Sequence, residues 1–145
     1  MNNAAIRIDP NGRIREIPLG DHPRDQARAV SRALLDAPEV IHRLHYPADA
    51  IVVIGGRNRA RHQPNLYAGV LLHALGGPAE DLRGSVVLAG VTSTDHLVSL
   101  PDTALAEARA ICPEAPGERP SAVGIRAVDA NTNAPQQTTG KDADA

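Results

Sequence analysis

A chain of 145 residues with one cysteine, no tryptophan and no phenylalanine is long enough for one hydrophobic core, and it has no material for an intramolecular disulfide or a cysteine-rich zinc site. Its formal charge of −2 is unevenly placed: residues 1–112 carry 12 Arg against 12 Asp or Glu, and residues 113–145 three basic against five acidic groups. The body is therefore neutral, without the basic excess that phosphate neutralisation asks of a dedicated duplex-DNA binder.

Rings come only from Tyr46 and Tyr67, so Val, Ile, Leu and Ala must fill the core. Of the 15 basic residues 14 are Arg and only Lys141 is Lys; with abundant Ala, Gly, Pro, Val and Asp this is the output of GC-rich codons, as in a high-GC bacterium, for example an actinobacterium. No apolar run approaches the ~20 residues of a membrane span and the N-terminus has no continuous apolar h-region, which leaves the cytoplasm as the default compartment.

In chain order, Ala5 to Ile8 predicts a strand, Asp9-Pro10-Asn11-Gly12 a tight turn, and Arg13 to Ile17 the returning strand of a hairpin. From Pro23 to Asp36 the period becomes helical through Ala27, Val30, Ala33 and Leu34, with Asp21 as N-cap and Pro38 as the stop. Val40, His42, Leu44 and Tyr46 alternate with Ile41, Arg43 and His45, the pattern of a half-buried strand ended by Pro47-Ala48-Asp49. Ala50 to Ile54 is a continuous apolar run, as in a strand covered on both faces, and Gly55-Gly56-Arg57-Asn58 follows as a turn. Asn65 to Leu75 predicts a helix with Leu66, Val70, Leu71 and Ala74 on its buried face, ended by Gly76-Gly77-Pro78. Ser85 to Ala89 reads as a strand, His96 to Leu100 as a further one, and Pro101 as the opening of a helix through Ile111.

Beyond Ile111 lie Pro113, Pro116, Pro120 and Pro135 among Gly, Asn, Gln and Thr, a composition that cannot bury enough surface to offset its ordering entropy. The expectation is one α+β domain at 1–112, a mixed or antiparallel sheet packed by two to three helices, and a Pro-rich, largely disordered segment at 113–145. Val123 to Val128 is a candidate edge strand, and 129–145 a tail.

Histidines 42 and 45 stand three apart on a strand and so on opposite faces, and no His-Glu-x-x-His spacing exists, so no metal and no cofactor is expected. No Gly-x-Ser-x-Gly elbow and no interpretable carboxylate pair marks a catalytic centre, and Cys112 reads as a small buried apolar residue. The suggestive segment is Gly55-Gly56-Arg57-Asn58-Arg59-Ala60-Arg61-His62. A glycine turn after an apolar strand can offer N–H groups to an anion, and Arg57, Arg59 and Arg61 would share one face of a strand; a hairpin turn with a solvated basic strand explains the same residues. Arg57, Arg59, Arg61, His62 and Asn65 are the candidate binding residues for an anionic partner, Asn65 reading equally as a helix N-cap.

The segments Ile6-Arg7-Ile8-Asp9-Pro10-Asn11-Gly12, Val40 through Val53, Pro64-Asn65-Leu66-Tyr67-Ala68, Arg83 through Gly90, and Ser99-Leu100 before a helix resemble the bacterial and phage family catalogued as domain of unknown function 3846, over about residues 5–111. The family's recurrent Asn matches Asn65 and its Gly before an apolar strand matches Gly84; Pro101 stands where the family has a polar residue. The resemblance implies a small α/β domain carried by phages and plasmids, with no assigned activity, and supplies no catalytic residue. It implies a non-enzymatic accessory protein, for example in plasmid transfer by conjugation, that acts by binding a protein or nucleic-acid partner; the residues themselves offer the basic loop 57–62 for that contact. The alternative is a small-molecule or nucleotide-binding domain, sequestering or weakly enzymatic, built on loop 55–62.

Overall fold

The structure, a computed structural model, describes residues 3–45 and 50–113. The tail, the candidate strand 123–128 and the break at Pro47-Ala48-Asp49 lie outside the described residues.

Strand β1 (Asn3–Ile8) and β2 (Ile14–Leu19) form the expected hairpin, with Ile8 opposite Ile14. Gly12 N donates to Asp9 O at 2.8 Å and Asn11 Oδ1 accepts from Arg13 N at 3.0 Å, which closes the turn. Gly12 is required twice over: its φ is +88°, and a Cβ there would sit 2.8 Å from the Tyr67 ring.

Helix α1 (Pro23–Leu34) begins where Pro23 presets φ, so the residue just before it becomes the cap. The cap is His22, whose Nδ1 accepts from Arg24 N at 3.0 Å, in place of the expected Asp21. Strands β3 (Pro38–His45) and β4 (Ala50–Gly56) pair antiparallel, then come a single 3-10 turn (Arg59–Arg61), α2 (Leu66–Ala74), β5 (Val86–Val91), β6 (Leu97–Val98) and α3 (Asp102–Ile111). Among the described residues the sheet has six strands, all pairings antiparallel, in the order β2-β1-β5-β4-β3, with β6 pairing β5. The domain is α+β.

Alternation along the central strands fills two cores. Ile51, Val53, Val86 and Leu88 point with Ile6 and Ile8 toward α2 and α3; Val52, Ile54, Val87 and Ala89 point toward α1. β4 and β5 are thus covered on both faces, which is why they read as unbroken apolar runs.

Three expectations are corrected. A bulge between Val40 and His42 breaks the alternation of β3: Val40 lies opposite Ile54 on the α1 face, and His42 opposite Val53 on the other. Gly55-Gly56 is the end of β4, paired with Glu39 and Pro38, and not a loop. A Cβ on Gly55 would meet Ile41 at 2.7 Å and one on Gly56 would meet Asp36 at 2.7 Å, so close packing explains both glycines. Helix α2 buries Tyr67, Ala68, Leu71 and Leu72, leaving Leu66 69% exposed. Its sequence is apolar almost all round, so periodicity carries no direction; the anchoring of Asn65 sets the rotation instead.

Two buried polar side chains tie the layers together. Asn65 caps α2 by accepting from Ala68 N at 3.0 Å, and its Nδ2 donates to Ile8 O at 2.9 Å and Gly84 O at 2.8 Å. Gln26 of α1 donates to Gly20 O and Leu97 O, both at 2.8 Å, and accepts from Leu97 N at 2.8 Å. A side-chain amide thereby stands in for a further strand beside the two-residue β6.

Candidate functional site

The loop leaving β4 is held by the α1–β3 turn. Asp36 accepts from Asn58 N at 2.7 Å, Asn58 Nδ2 at 3.1 Å and Ala37 N at 2.7 Å, and Arg57 N donates to Ala37 O at 2.8 Å. The hydrogen bond from the Asn58 backbone, opposed in part by desolvation, holds the Asp36 carboxyl below the ordinary value of 3.8. Those bonds fix where the next arginines go.

They do not share a strand face. Arg59 and Arg61 belong to the 3-10 turn, so the expected row of three guanidinium groups is not formed. Arg59 turns back to Glu39 on β3, Nη1 to Oε1 2.5 Å, and donates to Gly56 O at 3.1 Å. Arg57 is exposed, and its guanidinium has no hydrogen-bond or ion-pair partner among the described residues.

Arg57 and Arg59 line an open surface groove of about 330 Å³ together with Glu39, Ala60, Asp81 and Arg83. Arg83 comes from the segment before β5; its Nε pairs with Asp81 at 2.9 Å and its Nη1 donates to His62 O at 3.0 Å. The groove therefore holds three guanidinium groups and two carboxylates, with Arg59 and Arg83 already neutralised. Arg61 and His62 are exposed outside its lining. Asn65 is 1% exposed with its amide committed to the fold, so the structure does not bring it to this surface.

No family model, curated protein or solved structure matches this chain. The geometry of the molecule itself is what bears on function.

Sequence reasoning missed Glu39, Asp81 and Arg83. They stand 18, 24 and 26 residues from Arg57, and the β3–β4 pairing and the Pro64–Arg83 bridge carry them to it. Asp36 was equally hidden, although an Asp just after a helix is a signal for a side chain that binds loop amides. Cys112 is buried as expected, and burial pushes its thiol up to about 12. His42 and His45 lie opposite Val53 and Ala50, on different faces; His42 meets Glu80 at 2.5 Å. Among the described residues no group of three or more His, Cys, Asp or Glu is placed to hold a metal ion.

Proposed function

We propose that the protein is a non-enzymatic binding module that takes an acidic group of a protein partner into the groove beside Arg57, in the accessory role that the family resemblance implies for a conjugative plasmid or phage. The observation that carries this reading is the contrast within the groove: Arg59 and Arg83 are paired with Glu39 and Asp81, while the exposed Arg57 guanidinium has no partner among the described residues. An unpaired guanidinium fork matches a carboxylate in two parallel hydrogen bonds. The two carboxylates in the same groove repel a polyanion and accept the cationic side chains that flank an acid on a protein surface. The groove's openness favours a protein partner over the small-molecule or nucleotide alternative, which calls for an enclosed site.

The test compares wild type with Arg57→Glu and Arg61→Glu in affinity capture from the native host. A partner kept by Arg61→Glu and lost by Arg57→Glu supports the groove; a partner kept by both variants rejects it. Saturable binding of a nucleoside triphosphate, lost in Arg57→Glu, would favour the small-molecule alternative.

A further inference from the structure

A further like-charge feature of the described surface lies on α1, outside the loop that the sequence singled out. Arg24, Arg28 and Arg32 recur at every fourth residue of α1, and all three are exposed. An α-helix rises ~1.5 Å per residue, so successive members stand ~6 Å apart along the axis and form a ridge ~12 Å long. Gln26 and Val30, half a turn away, are the buried residues of the helix, so the ridge crowns its solvent side. No carboxylate lies within ion-pair distance of any of the three guanidinium groups among the described residues. The acids of this segment form no ion pair with the ridge among the described residues. Asp36 binds Ala37 and Asn58, Asp25 packs beside Gly20, and Asp21 precedes the helix.

We infer that the α1 ridge is a contact surface for a nucleic-acid backbone, separate from the Arg57 groove. Three consecutive unpaired guanidinium groups on a rigid helix complement a polyanion, which the groove with its two carboxylates does not. Arginine adds a planar fork that meets phosphate oxygens in pairs. An anionic membrane is disfavoured because the apolar side of α1 is spent on the sheet, with Val30 buried and Ala29, Ala33 and Leu34 packed against the same core. The contact proposed is to phosphates and independent of sequence, as for arginines that neutralise a backbone.

Neutralising about three phosphates gives a log-log salt slope of roughly −2 on a single strand and −2.7 on a duplex. The experiment is fluorescence anisotropy of the full chain with a mixed-sequence 20-mer, single-stranded and duplex, across a salt series. Raising salt from 25 to 100 mM is expected to weaken wild-type binding by roughly 15- to 40-fold. Arg24→Gln/Arg28→Gln/Arg32→Gln, with circular dichroism confirming its helix content, is expected to lose at least roughly tenfold in affinity at the lower salt, while Arg15→Gln, an exposed arginine of β2 outside both sites, binds within about twofold of wild type. Should the triple variant not fold, the single Arg28→Gln is read in the same assay, with a loss of roughly threefold expected. No binding by wild type at 25 mM salt, a salt-independent affinity, or a folded ridge variant that binds like wild type would each overturn the inference. So would equal or tighter binding to vesicles of anionic phospholipid or to polyglutamate.

Discussion

At the scale of single residues, Asn65 does structural work at a position the sequence also nominated for binding. Its amide satisfies Ala68 N, Ile8 O and Gly84 O in a place that water does not reach. Asn65→Ala strands one buried donor and two buried acceptors, each a loss of about 1–3 kcal/mol without full additivity. Urea unfolding is therefore expected to show a loss of about 3 kcal/mol or more; a loss below about 1 kcal/mol would mean that the knot is dispensable. Cys112 supplies a pH dependence. Burial raises its thiol from 9.0 to about 12, so above pH 9 the unfolded chain has released a proton that the folded chain keeps. Stability then falls as pH rises from about 9 toward 12, by at most about 1.4 kcal/mol per pH unit for this group. Cys112→Ala should flatten that part of the pH–stability curve relative to wild type, and identical curves would exclude the thiol as the cause.

Among the elements, the end of α1 carries a local conflict. Leu35 closes the helix in the left-handed region at φ 54° and is 90% exposed, a conformation that costs an L-residue about 1 kcal/mol or more. Leu35→Gly removes the steric cost without removing any packing, and partly offsets the gain through a freer unfolded chain. An increase of about 0.5–1 kcal/mol in unfolding free energy is expected, measured by thermal or urea denaturation; a decrease would show that Leu35 is held by contacts with a partner or its own chain. The hairpin, α1 and α3 were legible because each has punctuation with a mechanism: Asn11-Gly12 for positive φ, and Pro23 and Pro101 for helix starts. The register of β3 was not, since a bulge leaves no trace in hydrophobic alternation until the partner strand is known.

At the scale of the molecule, among the described residues both cores are assembled from side chains between Ala5 and Cys112, and each face of the sheet has its helical cover. Pro113 belongs with them because its ring approaches Gly12 at the hairpin turn. A chain ending at Pro113 is expected to fold with a melting temperature within about 4 °C of the full-length protein, equivalent to less than about 1 kcal/mol. A larger drop would place part of the stabilising contacts beyond residue 113.

By itself the sequence determined the class and the material: an aliphatic core, a neutral body, a hairpin followed by helices and apolar strands, and an N-cap at Asn65. These are local or compositional properties, and periodicity and turn chemistry report them directly. Tertiary structure alone decided which charges stand free. Arg57, Arg59 and Arg61 are alike in sequence, yet Arg59 is claimed by Glu39 across the β3–β4 ladder and Arg57 is joined by Arg83 from before β5. Arg24, Arg28 and Arg32 stand on the solvent side of α1 because the helix turns Gln26 and Val30 to the sheet, and among the described residues none of the three forms an ion pair. Ion pairing depends on groups distant in sequence coming within about 4 Å, and only the folded chain sets that distance.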